Sequence, residues 1–218
     1  MKSEFEENYH GTVHKHLLTK SKYYLFRAKV GEVDYWRYLN KGKTLDFGCG
    51  LGQFIYLRKD TAIGVEVSNF AIEFCKRKGL SVYNVNRLPK GKFDNILCVH
   101  TLEHLKLEKY VKIFRKLLKK NGRLLIVLPY PMRVGQERSF KKGDAVDYSS
   151  WNLGELSGRT HLRKILRDNG FEIAIEKFNY NSGYILFYKL PFKLAYPLLK
   201  LFSFLRNSKE YIILSIKS

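Results

Sequence analysis

From about residue 43 the chain alternates short apolar runs with stretches whose apolar residues recur every three or four positions. The apolar runs at 43–47, 62–66, 81–85, 94–99, 123–128, 171–178 and 211–216 read as buried strands. Between them, 51–58, 69–78, 106–120 and 159–168 carry the helical period. Such alternation predicts an α/β fold, a doubly wound and mostly parallel sheet with helices on both faces. Asn121-Gly122 and Asn169-Gly170 suit left-handed caps after two of the helices, and Pro129 should stop the fifth strand.

Residues 1–40 precede this pattern. Tyr9, Tyr23, Tyr24, Phe26, Tyr35, Trp36 and Tyr38 fall at helical spacing and predict one or two amphipathic helices. Two connections, 129–157 and 181–209, are longer than the few residues usual in such folds. Both leave the carboxyl edge of the sheet, where ligands bind. With the N-terminal helices gathered there too, three segments form a roof over one crevice. The expected organisation is thus a helical segment at 1–40 and one domain at 41–218 with two insertions.

Bulk properties narrow the class. At 218 residues the chain suits a single core, and 45% apolar with 15% aromatic content excludes disorder. Met1 to His10 hold three glutamates and no apolar run, so no secretory signal is expected. No run reaches the roughly 18 apolar residues that a membrane span needs. Cys49, Cys75 and Cys98 lack metal-ligand spacing and read as reduced packing residues of a cytoplasmic protein. The net charge of +20 is uneven: residues 106–141 hold eleven basic against two acidic residues, and 181–218 hold six against one. That asymmetry suggests an anionic partner, whether nucleic acid, phospholipid headgroups or a phosphorylated substrate.

The chemistry concentrates where the first strand ends. Leu45-Asp46-Phe47-Gly48-Cys49-Gly50-Leu51-Gly52 places three alternate glycines after a strand, a turn in which a ligand can lie against bare backbone. A dinucleotide fingerprint spaces its glycines differently and leaves its amides to pyrophosphate. Asp46, two residues before the first glycine, would repel a pyrophosphate but suits a ligand bearing an ammonium and a sulfonium. Glu66 ends the second strand, 18 positions after Gly48, placed to accept from ribose hydroxyls.

Together with Gly64-Val65-Glu66-Val67-Ser68, the run Leu88-Pro89 to Leu105, and Asn121-Gly122 to Pro129, this pattern resembles the class I S-adenosylmethionine-dependent methyltransferases. The likeness is to their small-molecule branch. It covers about 41–130 and, more loosely, 158–179. It implies seven strands with an antiparallel last one, S-adenosylmethionine as cofactor and the N-terminal segment as a lid. It also implies that Asp46, Gly48 and Gly50, with Cys49 and Gly52 in the same loop, hold the methionine end. Glu66 would meet the ribose, Val67 beside it would also bind the cofactor, and the His100 backbone would lie near the methionine group. Asn84 stands where the family usually has an aspartate facing the adenine amine, and Val85 would offer backbone to the adenine edge. His104 and His100 are the candidate general bases, because imidazole titrates near working pH. Alternatively, Glu103 and His104 cap the next helix and shape the loop. Tyr130 and His161 are candidate acceptor contacts, although His161 could equally begin its helix. His10 and His14 are four apart, but no carboxylate or cysteine completes a shell and no metal is expected.

Two further segments bear on partners. In 106–120 one apolar face, with Leu107, Val111 and Phe114, predicts packing on the sheet, and the lysines crowding the other faces read as solvated. Residues 190–206 are too short to span a bilayer but have the apolar bulk and flanking cations of an interfacial helix, with Phe192 and Phe202 as membrane contacts. A buried helix roofing the crevice fits them as well. The preferred expectation is methyl transfer, on oxygen, to a small-molecule or lipid-linked acceptor such as a glycan intermediate or a quinone-like ring. A peripheral contact with anionic membrane goes with it. RNA methylation is the alternative, and a non-catalytic partner subunit is a third.

Overall fold

A computed structural model describes residues 7–130, 156–181 and 185–218, the side chains of 156–158 excepted. Its seven strands are β1 (Thr44–Phe47), β2 (Ala62–Glu66), β3 (Val82–Asn84), β4 (Phe93–Val99), β5 (Leu118–Tyr130), β6 (Phe171–Tyr180) and β7 (Lys209–Lys217). They form one sheet in the order β3-β2-β1-β4-β5-β7-β6. Only β7 runs antiparallel, to both β5 and β6. All four residues of β1 are buried, as a central parallel strand covered on both faces should be.

Strand alternation divides the interior. Leu45, Phe47, Ile96, Cys98, Leu124 and Ile126 face Val111 and Phe114 on one side of the sheet. Leu97, Leu125, Val127 and Ile212 face Tyr35, Tyr38 and Phe54 on the other. The helices are α1 (Glu7–Val13), α2 (Lys15–Thr19), α3 (Ser21–Asp34), α4 (Asn69–Arg77), α5 (Leu107–Leu117), α6 (Leu156–Asp168) and α7 (Phe192–Leu205). None of the described helices is long and apolar enough to cross a membrane.

Five local expectations need correction. No α-helix follows the glycine loop: Gly52 is left-handed at φ +73°, and 52–61 descend in successive three-residue turns ending in a 3₁₀ turn at Tyr56–Arg58. A left-handed residue cannot propagate a right-handed helix, and β2 begins at Ala62. The helix drawn to 120 stops at Leu117, because Leu118 turns extended and wholly buried opposite Phe93. Asn121, at φ +58°, therefore turns the chain inside β5 instead of capping α5. Nor does Pro129 end β5: the strand continues to Tyr130 against β7, and pairing with β4 ends at Val127, so the missing N–H costs no bond to β4. Finally, the N-terminal segment makes three helices, and α3 is not amphipathic: Tyr23, Tyr24, Phe26, Ala28, Val30 and Gly31 are all buried.

That burial follows from position. Tyr24, Phe26 and Val30 share a core with Leu51 of the glycine loop, Ala71 of α4 and Ala195 and Leu199 of α7. A clasp fixes α3 to α7: the buried Asp34 carboxylate accepts from Tyr196 Oη at 2.6 Å and Lys200 Nζ at 2.9 Å. The insertion at 181–209 therefore holds α7, joining the ends of β6 and β7. The other, 129–157, lies outside the described residues between 131 and 155.

Candidate active site

Four strand ends bring the predicted residues to one edge. The loop after β1 is fixed from beneath, since Gly48 and Cys49 donate their amides to Val65 O at 2.8 and 3.1 Å. Gly48 sits at φ +77°, and a Cβ there would lie 2.2 Å from Thr101 Oγ1. Its missing side chain thus admits the loop after β4. Gly52 is crowded in the same way by Leu80 and Cys75. Gly50 differs: it is left-handed at φ +53°, yet a Cβ would meet nothing within 4 Å. Here the bare backbone faces open space, a cradle for a ligand.

Glu66 ties this loop down. Its Oε2 accepts from Gly50 N at 2.8 Å, and its Oε1 accepts from Val67 N and Ser68 N at 2.7 and 3.0 Å. A carboxylate has about four acceptor positions, so three amides leave roughly one for a ligand hydroxyl. The sequence assigned Glu66 to the ribose alone; its first job is to hold the glycine turn. Asp46 is its opposite. It is 1% exposed, and its Oδ2 has no hydrogen-bond partner. Burial, with repulsion from Glu66 second, pushes the Asp46 carboxyl up to about 8. An unsatisfied buried acid beside a second carboxylate is a site for a cation. The residues present therefore fit a ligand with a positively charged group.

Three other predicted positions lie near Glu66. Asn84 is paired in register with Glu66, and its Oδ1 accepts from Asn86 N at 3.0 Å. Val85 donates its amide to Glu66 O, and Val67 is exposed at the edge. Cys49, Cys75 and Cys98 are free and buried, as their packing role requires.

The segment after β4 carries the base candidates. His100 is left-handed at φ +49°, its amide bound to Val127 O. That conformation is uncommon outside glycine and asparagine, and it brings His100 Nε2 to 3.2 Å from Glu210 Oε1. Glu210, at the start of β7, is 1% exposed and also accepts from Tyr35 Oη at 3.1 and 3.2 Å. Desolvation alone would lower the His100 pKa, but the hydrogen bond and charge of Glu210 outweigh it and hold the imidazole above the ordinary histidine value. His104 goes the other way: burial, then the charge of His100, lowers it to about 4. It lies in a 3₁₀ turn, Leu102–His104, beside buried Glu103.

Two acceptor candidates lie farther along the edge. Tyr130 packs on Phe178 with ring centroids 4.5 Å apart, and the Arg159 guanidinium covers both rings. His161 is exposed on α6. His10 and His14 approach to 2.9 Å through their Nδ1 atoms, and burial followed by the charge of His10 lowers His14 to about 3. Among the described residues, no group of three or more potential ligand side chains could hold a metal ion. Glu210 went unnoticed in the sequence, and Tyr35 was read only as one of the N-terminal aromatics at helical spacing. The available signal was Glu210 as the one acidic residue in 181–218, at the head of an apolar strand.

Comparison with known proteins gives a consistent picture. Residues 25–175 match a family model described as a methyltransferase domain. An uncharacterized protein of Methanocaldococcus jannaschii is 35% identical over 88 residues, 38% of this chain and 39% of that protein, so the match spans about two fifths of that relative's length. Two solved structures share the fold. A SAM-dependent methyltransferase of Thermotoga maritima has a TM-score of 0.60 at 21% identity, covering 94% of each chain. One from Archaeoglobus fulgidus has a TM-score of 0.58 at 20% identity, covering 94% of this chain and 98% of the other.

Proposed function

The chain belongs to the methyltransferase-domain family, whose methyl donor is S-adenosylmethionine, and from that premise we propose that it methylates an oxygen of a small-molecule or lipid-linked acceptor. Glycan-like and quinone-like hydroxyls are the nearest acceptor chemistries. When bound, the cofactor supplies a methyl carbon on a cationic sulfur, already activated for displacement.

The chain's residues then have distinct tasks. Asp46 pairs its free carboxylate oxygen with the cofactor's positive charge, giving up its proton as it does so. Gly50 lets the loop backbone approach, and Gly48, Cys49 and Gly52 keep that loop in shape. Glu66 offers its remaining acceptor position to a ribose hydroxyl. Asn84, Val67 and Val85 flank the base. His100 is the general base: with Nε2 directed at Glu210, its Nδ1 is the nitrogen left to take a proton from the acceptor hydroxyl. Glu210 then stabilises the imidazolium, and Tyr35 holds Glu210. His104, with a pKa of about 4, is a weak base and serves to shape the loop. Tyr130 lines the acceptor side.

The observation that carries the oxygen assignment is the buried Glu210 carboxylate behind a half-exposed His100, since a hydroxyl, unlike a free neutral amine, must lose a proton to react. The test is to incubate the protein with methyl-labelled cofactor and a cell extract, then separate lipid, RNA and small-molecule fractions. Label in the lipid or small-molecule fraction, held as a methyl ether and lost with His100→Ala, is expected. Label confined to RNA would favour the alternative.

A further inference from the structure

We propose that the outer face of α7 docks this protein on an anionic lipid bilayer. Leu194, Leu198, Leu201 and Leu205 follow one another at helical spacing along a single stripe and are 60%, 40%, 53% and 73% exposed. Leu190 and Phe204 extend the stripe, at 44% and 56%. This face is not waiting for the protein's own core. The opposite face already buries Ala195, Leu199 and Ser203, and the Asp34 clasp fixes the helix in that orientation. Phe192 and Phe202 are half-buried, so the leucines, not these phenylalanines, form the outer contact.

Charge selects the occupant. Residues 181–209 contain Lys189, Lys193, Lys200, Arg206 and Lys209 and no acidic residue. Lys189, Lys193 and Arg206 are exposed beside the stripe. At its amino end, Lys20, Ser21, Lys22, Tyr188 and Lys189 line a concavity whose three ammonium groups suit headgroup phosphates. A second copy of the chain would set these cations against their equals, in a molecule whose net charge is already +20. A 14-residue helix cannot span a bilayer but can lie in its surface. Because α7 joins the carboxyl-edge ends of β6 and β7, the crevice would open near the lipid. That the bilayer also delivers the acceptor rests on the methyl-transfer reading above.

The experiment is co-sedimentation of the full chain with phosphatidylcholine vesicles, with and without phosphatidylglycerol, in parallel with thermal melts with and without S-adenosylmethionine. Wild-type protein should pellet with the anionic vesicles only, and less as salt rises. Leu194→Glu with Leu201→Glu should lose at least about tenfold in binding while keeping the cofactor shift. Lys193→Glu with Arg206→Glu, which leaves the apolar stripe intact, should lose binding in the same direction. Absent or equal binding to both vesicles, or wild-type binding by both variants, overturns the proposal. So does a wild-type dimer, unbound to vesicles, that the leucine variant splits, or retention on RNA in place of vesicles. A wild-type protein that binds vesicles but shows no cofactor shift would instead defeat the methyl-transfer reading.

Discussion

Asp46 and His100 are two titratable side chains whose surroundings both favour the protonated form. The folded chain holds the Asp46 proton up to about 8, whereas an unfolded chain releases it near the ordinary carboxylate value. The folded state thus binds more protons between those limits, and without cofactor it loses stability as pH rises through that window. Asp46→Asn removes the penalty. We expect its ligand-free melting temperature to exceed wild type at pH 8, measured by calorimetry, while S-adenosylmethionine no longer shifts it. His100 depends on Glu210, so Glu210→Gln should move the acidic limb of the kcat/KM profile to lower pH, because the imidazole loses the charge that raised it. His100→Ala should lower kcat by roughly 10²–10⁴-fold with the cofactor shift intact. Asp46 was legible in the sequence because three alternate glycines after it mark its place. Glu210 was not, since it stands 110 positions from His100 and only the return of β7 beside β5 joins them.

Among elements, the glycine loop separates packing from binding. Gly48→Ala would drive a Cβ into Thr101 at a left-handed position, and overpacking of that kind costs about 1–3 kcal/mol beyond the backbone strain. Gly50→Ala meets no neighbour and should cost only the left-handed penalty of about 1–2 kcal/mol, yet lose most cofactor affinity. Urea midpoints beside cofactor titrations distinguish the two. All seven strands were visible in the apolar pattern; burial on both faces leaves a continuous run in central strands such as β1 and β4, whereas β6 at the sheet edge alternates with exposed positions. The helix expected after Gly52 and the cap expected at Asn121 failed for one reason: each read a local pattern as helix where a left-handed residue turns the chain and the nearby strand takes over.

At the scale of the whole molecule, α3 and α7 pack together on the glycine loop and are clasped at Asp34. Asp34→Asn leaves the Lys200 ammonium partly buried without its counter-charge, and breaking such a pair costs about 3–5 kcal/mol. Hydrogen exchange should then rise in α7 before it rises in β4 or β5. The packing of the aromatic N-terminus on the connection after β6 was foreseeable; its clasp, made across 162 and 166 positions, was not. Cofactor binding at this edge rests on a buried carboxylate kept for a cation. The most direct test is calorimetric titration of S-adenosylmethionine at pH 7, in buffers of different ionisation enthalpy. One cofactor should bind per chain and release close to one proton, from an acid whose pKa is about 8, and the proton should vanish with Asp46→Asn. Binding without proton release, or equal binding by the Asn variant, would contradict it.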